Sequence, residues 1–105
     1  MASESNWQDS LRQRIVTAMS DAFPGQDRAR HMGELTRGDQ HWAVYLETLP
    51  EADVAAVRGR IHFVDRGRHK MTSWVFLEWQ ERDIHERFGE FSAVELWHFL
   101  EAVEG

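Results

Sequence analysis

One pattern, met twice along the chain, narrows the fold more than any other feature. In its first occurrence Arg37-Gly38 precedes a strand-like run through Trp42, which leaves through Leu46-Glu47 and is followed by Asp53 and Gly59. In its second, Arg66-Gly67 precedes Trp74 and WVFLE, which leaves through Leu77-Glu78 and is followed by Asp83 and Gly89. An Arg-Gly pair supplies a tight turn. Trp42, Val44 and Leu46 alternate with His41, Ala43 and Tyr45, the period of a strand with one buried face. Strands joined by tight turns run antiparallel. The expected fold is therefore a single α+β domain over residues 1–105. Two hairpin–helix (ββα) units form a largely antiparallel sheet of about four strands, with helices on one face and an N-terminal and a C-terminal helix flanking it.

Local signals place the elements. Trp7, Leu11, Ile15, Ala18, Met19 and Ala22 recur every three or four residues, Ser5 and Gln8 have capping-box spacing, and Pro24-Gly25 ends the run. That predicts the N-terminal helix. The first arm of the first hairpin, His31 to Thr36, is weakly patterned. LPEADVAAVRG is expected to be a short helix, with Pro50 at its first position and Gly59 past its end. RIHFVD and KMTSWVFLEW form the second hairpin. ERDIHERFG is a short helix closed by Gly89. SAVELWHFLEAVEG is the C-terminal helix, with Ser92 and Glu95 in capping-box spacing.

Composition excludes several classes. The chain has no cysteine, which removes disulfide stapling, thiol chemistry and cysteine-bound zinc. No apolar run is long enough to span a bilayer, and MASESNWQDS lacks the pattern of a secretory leader. A cytoplasmic protein with no membrane partner is expected. The net charge of −6 works against binding a phosphate backbone. One basic stretch remains, RGRIHFVDRGRHK, with Arg58, Arg60, Arg66, Arg68 and Lys70 against Asp65. It is the place where an anion or a nucleic acid would bind.

The polar run after SWVFLEW raises a chemical question. Glu81 and His85 are four apart on one helix, and Glu95 and His98 three apart on the next, so each pair shares a face. Glu-x-x-His is a motif of carboxylate-bridged metal sites, but such sites need two of these motifs and two more carboxylates on long helices. No phosphate-binding glycine loop, nucleophile elbow or HExxH is present. The reading favours no enzyme, no catalytic set and no cofactor. It keeps Glu81, His85, Glu95 and His98 as the metal or acid–base alternative. ERDIHERFG also resembles the ERExxDxFG segment of the thirty-kilodalton subunit of respiratory complex I and related hydrogenase subunits. It departs from that pattern at Asp83 and Glu86, and the Gly-His-Pro run that the family places downstream is missing. The resemblance covers residues 81–89 only, and no role is carried over from it.

Apolar residues exceed what one small core needs. Val94, Leu96, Trp97, Phe99, Leu100, Ala102 and Val103 spread around most of the last helix, which predicts cover on two sides. Trp74 and Phe76 fall on one face of their strand and Val75, Leu77 and Trp79 on the other, which predicts a central strand covered on both faces. The leading functional expectation is a small acidic protein-binding module, of adaptor, inhibitor or chaperone-like type. It would associate with a protein partner, foremost a second copy, through Trp79, Phe91, Trp97, Phe99 and Val103.

Overall fold

The computed structural model describes residues 23–103. The predicted N-terminal helix lies outside the described residues. A 3-10 turn, Gln26–Arg28, leads into β1 (Ala29–Arg37) and β2 (Gln40–Pro50). β3 (Val57–Asp65), β4 (Arg68–Met71) and β5 (Phe76–Glu78) follow, then α1 (Glu81–Gly89) and α2 (Ala93–Ala102). The fold is α+β, with a five-stranded antiparallel sheet and two helices among the described residues.

The strand order is β1-β2-β3-β4, and β5 pairs with β3 as well. β4 pairs with the far half of β3, from His62 to Asp65, and β5 with the near half, from Val57 to Gly59. The second arm of the second hairpin is thus broken in two. Thr72 bridges the gap: its N–H donates to the Ile61 carbonyl at 2.9 Å, and its Oγ1 accepts from the Ile61 N–H at 3.0 Å. The hairpin itself turns at Arg66 and Gly67, both with positive φ (44° and 83°). That is the type I′ pattern, whose twist suits antiparallel strands.

The pleat divides the sheet into two faces. Trp42, Val44 and Leu46 of β2 and Ile61 and Phe63 of β3 join Leu35, Phe76, Ile84, Phe88, Leu96, Trp97 and Leu100 in one core. Both helices therefore sit on the same face. Gly59 lets α1 approach: a Cβ there would lie 2.8 Å from Ile84 Cγ2 and 3.2 Å from Phe76 Cβ. Ser92 and Glu95 cap α2 reciprocally, as their spacing predicts.

Two expectations are corrected. Residues 51–56 form a bend and not a helix, and Gly59 is a strand residue inside β3. β2 runs straight to Pro50 and pairs there with Val57, and the Glu51 N–H donates to the Ala56 carbonyl at 2.9 Å, so the segment closes as a hairpin loop. The first arm of the first hairpin, weak in sequence, is a full strand with a bulge between His31 and Gly33. The extra residue puts His31 and Glu34 on one face, opposite Tyr45 and Ala43, while Met32 packs on the core.

Candidate functional site

β5 carries apolar surface that its own domain leaves uncovered. Phe76 points into the core. Its neighbours point out: Val75 is 42% exposed, Leu77 64% and Trp79, just past the strand, 78%. Val54, in the bend before β3, adds another exposed apolar side chain at 63%. Ala56, Leu77, Glu78 and Trp79 line a shared hollow, so the bend and the strand edge form one surface. Clustered apolar exposure is a feature of many interaction surfaces, whereas single exposed residues need no explanation. The strand is an edge. It pairs with β3 on one side, and no described strand lies on the other. The expectation of a central strand covered on both faces is therefore corrected.

A groove of about 550 Å³ runs beside β5. Its inner wall is the consecutive stretch Val75 to Glu78, and its outer wall is the α1–α2 junction with Arg87, Glu90, Phe91 and Glu95. Consecutive strand residues point to alternate faces, so a hollow that touches four in a row follows the strand's edge. Phe91 forms an aromatic ladder with its neighbours, 5.9 Å from Phe76 and 5.2 Å from Phe99, both edge-to-face. Arg87 lies 3.9 Å from Glu78 and 4.0 Å from Glu90. Glu95 is held below its ordinary pKa by hydrogen bonds from the Ser92 backbone and side chain.

The residues expected to bind a partner fall into two groups. Trp79 is on the open surface. Trp97 is 6% exposed, inside the core, with the Arg37 guanidinium 4.4 Å above its ring. Phe91 and Phe99 are half-buried against the core, and Val103 caps the end of α2. The apolar excess of α2 is absorbed sideways by the Phe76–Phe91–Phe99 ladder, so the helix is covered on one side, with Val94 left exposed. Glu81 and His85 do share a face, 3.7 Å apart, but Glu81 also accepts a 2.9 Å hydrogen bond from Thr48 Oγ1 and ties α1 to β2. Glu95 is engaged in its cap and His98 is exposed. No group of three or more His, Asp or Glu among the described residues is placed to hold a metal ion.

Sequence reasoning missed a polar network on the face of the sheet that neither described helix covers, called the open face below. Glu47 and His62 are fully buried there. Glu47 accepts hydrogen bonds from Arg60 Nε at 2.7 Å, His62 Nε2 at 2.6 Å and Arg28 Nη2 at 3.0 Å. A carboxylate only accepts, so His62 carries its proton on Nε2. In its neutral form His62 then accepts at Nδ1 from His69 Nε2, 2.8 Å away. Phe23 covers both imidazoles, with ring centroids 4.5 Å from His62 and 5.0 Å from His69. Gly25 closes over the carboxylate with φ 88°, and a Cβ there would meet Glu47 Oε2 at 2.4 Å. The turn can pass so close only as glycine.

Burial alone would raise the Glu47 carboxyl, but the hydrogen bonds from Arg60, His62 and Arg28 outweigh it and hold the group below its ordinary pKa. Burial lowers His62, against the pull of Glu47, and the charges of His69 and Arg60 lower it further. Burial and Arg60 lower His69. The signal for this network was the strand phase. Glu47 shares the phase of Tyr45, and Arg60 and His62 share a phase opposite to Ile61 and Phe63, but only the register brings them together.

The basic stretch does not gather on one surface. Arg60 binds Glu47 and lies 4.1 Å over Trp74 on the open face. Arg68 and Lys70 lie over Trp42 on the other, and Arg68 also pairs with Asp65. Arg58 pairs with Glu51. At the far sheet edge Glu34 holds His31 on one oxygen and His41 on the other, each at 2.5 Å. No described helix is long and apolar enough to cross a membrane. No family model matches the chain, and neither a curated protein nor a solved structure does.

Proposed function

We propose that the chain is a small, non-enzymatic protein-binding module whose contact surface is the outer edge of the sheet at β5, with Trp79 as its anchor. One observation carries this reading. Trp79 is the most exposed large apolar side chain among the described residues, and Leu77 and Val75 stand open on the same strand phase. Tryptophan is a frequent energetic centre of interfaces because it removes a large area from water with few rotatable bonds. The other described tryptophans are covered: Trp42 and Trp97 are buried in the core, and Trp74 lies under Arg60. Of the residues expected from sequence to bind a partner, Trp79 lies on this surface, whereas Trp97 is buried in the domain's own core.

A photo-crosslinking amino acid at position 79, introduced in the native host, tests this reading. Discrete adducts of higher mass are expected from position 79 and none from Asp39, in the exposed β1–β2 turn. The same ladder of products from both positions, or none from either, would overturn it.

A further inference from the structure

The groove beside β5 has a chemistry that selects its occupant. We infer that it receives an extended segment of a partner protein, with basic and apolar residues in alternation, which adds to the sheet as a strand beside β5. The inference rests on the binding-module reading and deepens it by naming the partner's chemistry.

Three features lead there. β5 has a strand on one side only among the described residues, and the groove follows its other edge. Backbone groups along such an edge are a ready template for an added strand. The two sides of the slot then differ. Glu78 shares the strand phase of Phe76 and points toward the helices, where it meets Arg87. That side carries three carboxylates, Glu78, Glu90 and Glu95, against one guanidinium, Arg87. The opposite side is the apolar stripe of Val75, Leu77 and Trp79.

An incoming strand also presents alternate residues to alternate sides. Its odd positions would meet carboxylates and its even positions the stripe, or the reverse. Lysine or arginine suits the acidic side twice over. The charged end reaches the carboxylates while the aliphatic stem lies on Phe91, which lines the groove. Valine, isoleucine or leucine suits the stripe. A second copy of this chain is the wrong occupant. Pairing β5 with itself would bring two sets of the same carboxylates together, and like charges across an interface disfavour association.

The probe is a short fluorescein-labelled peptide that alternates lysine and valine, compared with its glutamate–valine counterpart and with a lysine–valine version N-methylated at every residue. Binding is read by anisotropy and located by amide chemical shifts. The lysine peptide is expected to bind at least about tenfold tighter than the glutamate peptide, and to weaken with salt. The shifts should fall on residues 75–79 and 87–95. Glu78→Lys with Glu90→Lys should reverse the preference, and the folded spectrum of that variant excludes a folding defect. N-methylation should abolish binding, because it removes the donors that strand pairing needs.

Equal binding of the two charge types, unimpaired binding of the methylated peptide, or shifts elsewhere on the molecule would each overturn the inference. Adducts from position 79 combined with no peptide binding would overturn the alternating basic strand and leave the binding module standing. Failure of both experiments would remove both.

Discussion

On one face of the sheet Trp42, Val44, Leu46, Ile61 and Phe63 meet Ile84, Phe88 and Trp97 from the helices. On the other, Glu47, Arg60, His62 and His69 meet Arg28 and Phe23, with a hydrogen-bonded network where the first face is held mainly by packing. The first arrangement tolerates small imperfections in direction, since burial of apolar area is non-directional. The second requires each donor to find its acceptor, because an unpaired buried polar group costs more than a good bond returns. Among the described residues, both helices cover the same face of the five-stranded sheet. A turn led by Phe23 and Gly25 closes part of the second face instead, and polar groups are made to fit beneath it.

The comparison can be broken by substitution, and the largest effects come first. Phe63→Ala should cost about 3–5 kcal/mol by denaturant unfolding, from lost transfer energy and a residual cavity. Its cost should be the same at pH 7.5 and pH 5.5. Glu47→Leu should cost a comparable ~3–5 kcal/mol, because it strands His62 and two guanidinium groups around an apolar side chain. Adding His62→Leu and Arg60→Met should recover most of that loss and make the two faces alike. If the triple variant is no better than Glu47→Leu, the network does more than satisfy its own members.

Next in size is Gly59→Ala, at about 1–3 kcal/mol, since the methyl group would press on Ile84 and lift α1 from the sheet. The pH dependence separates the faces without mutation. His62 and His69 have lowered folded-state pKa values, so the unfolded chain binds more protons just below the ordinary histidine value. Stability should be level above pH ~7 and fall as the pH drops through about 6.5. Glu47 is lowered too, so its contribution is complete above its ordinary pKa of 4.5 and is lost as the pH falls below that. His62→Phe combined with His69→Phe should flatten the upper part of the denaturant-midpoint profile and leave the lower part. Smallest is Trp79→Ser, which should shift stability by no more than about 0.5 kcal/mol, since the ring is already in water. A large loss there would show that Trp79 serves the fold.

Much of the helix-covered face was legible in the sequence. The phase of Trp42, Val44 and Leu46 was readable from alternation, and α1 and the capping box of α2 fall where their local signals put them. Short-range rules suffice there, because each signal lies within a few residues of its effect. Residues 51–56 misled for the same reason. Pro50, the acids and Gly59 make a good local helix, but pairing of Pro50 with Val57 decides the matter across the sheet. The open face depends wholly on such pairing. Nothing in the linear order brings Arg28, Glu47, Arg60, His62 and His69 together before the register is known. The candidate site was half legible. Trp79 and the Val75–Leu77–Trp79 phase could be read, but whether β5 lies at the centre or the edge of the sheet could not.

The gap at Thr72, where the outer strand breaks between β4 and β5, has a consequence for solubility. A long uninterrupted outer strand with apolar neighbours invites stacking without limit, copy upon copy, toward fibrils. Here that margin is cut into one segment of four residues and another of three. A single short peptide can still settle on the shorter piece, but an endless ribbon has too little continuous backbone on this margin to grow from.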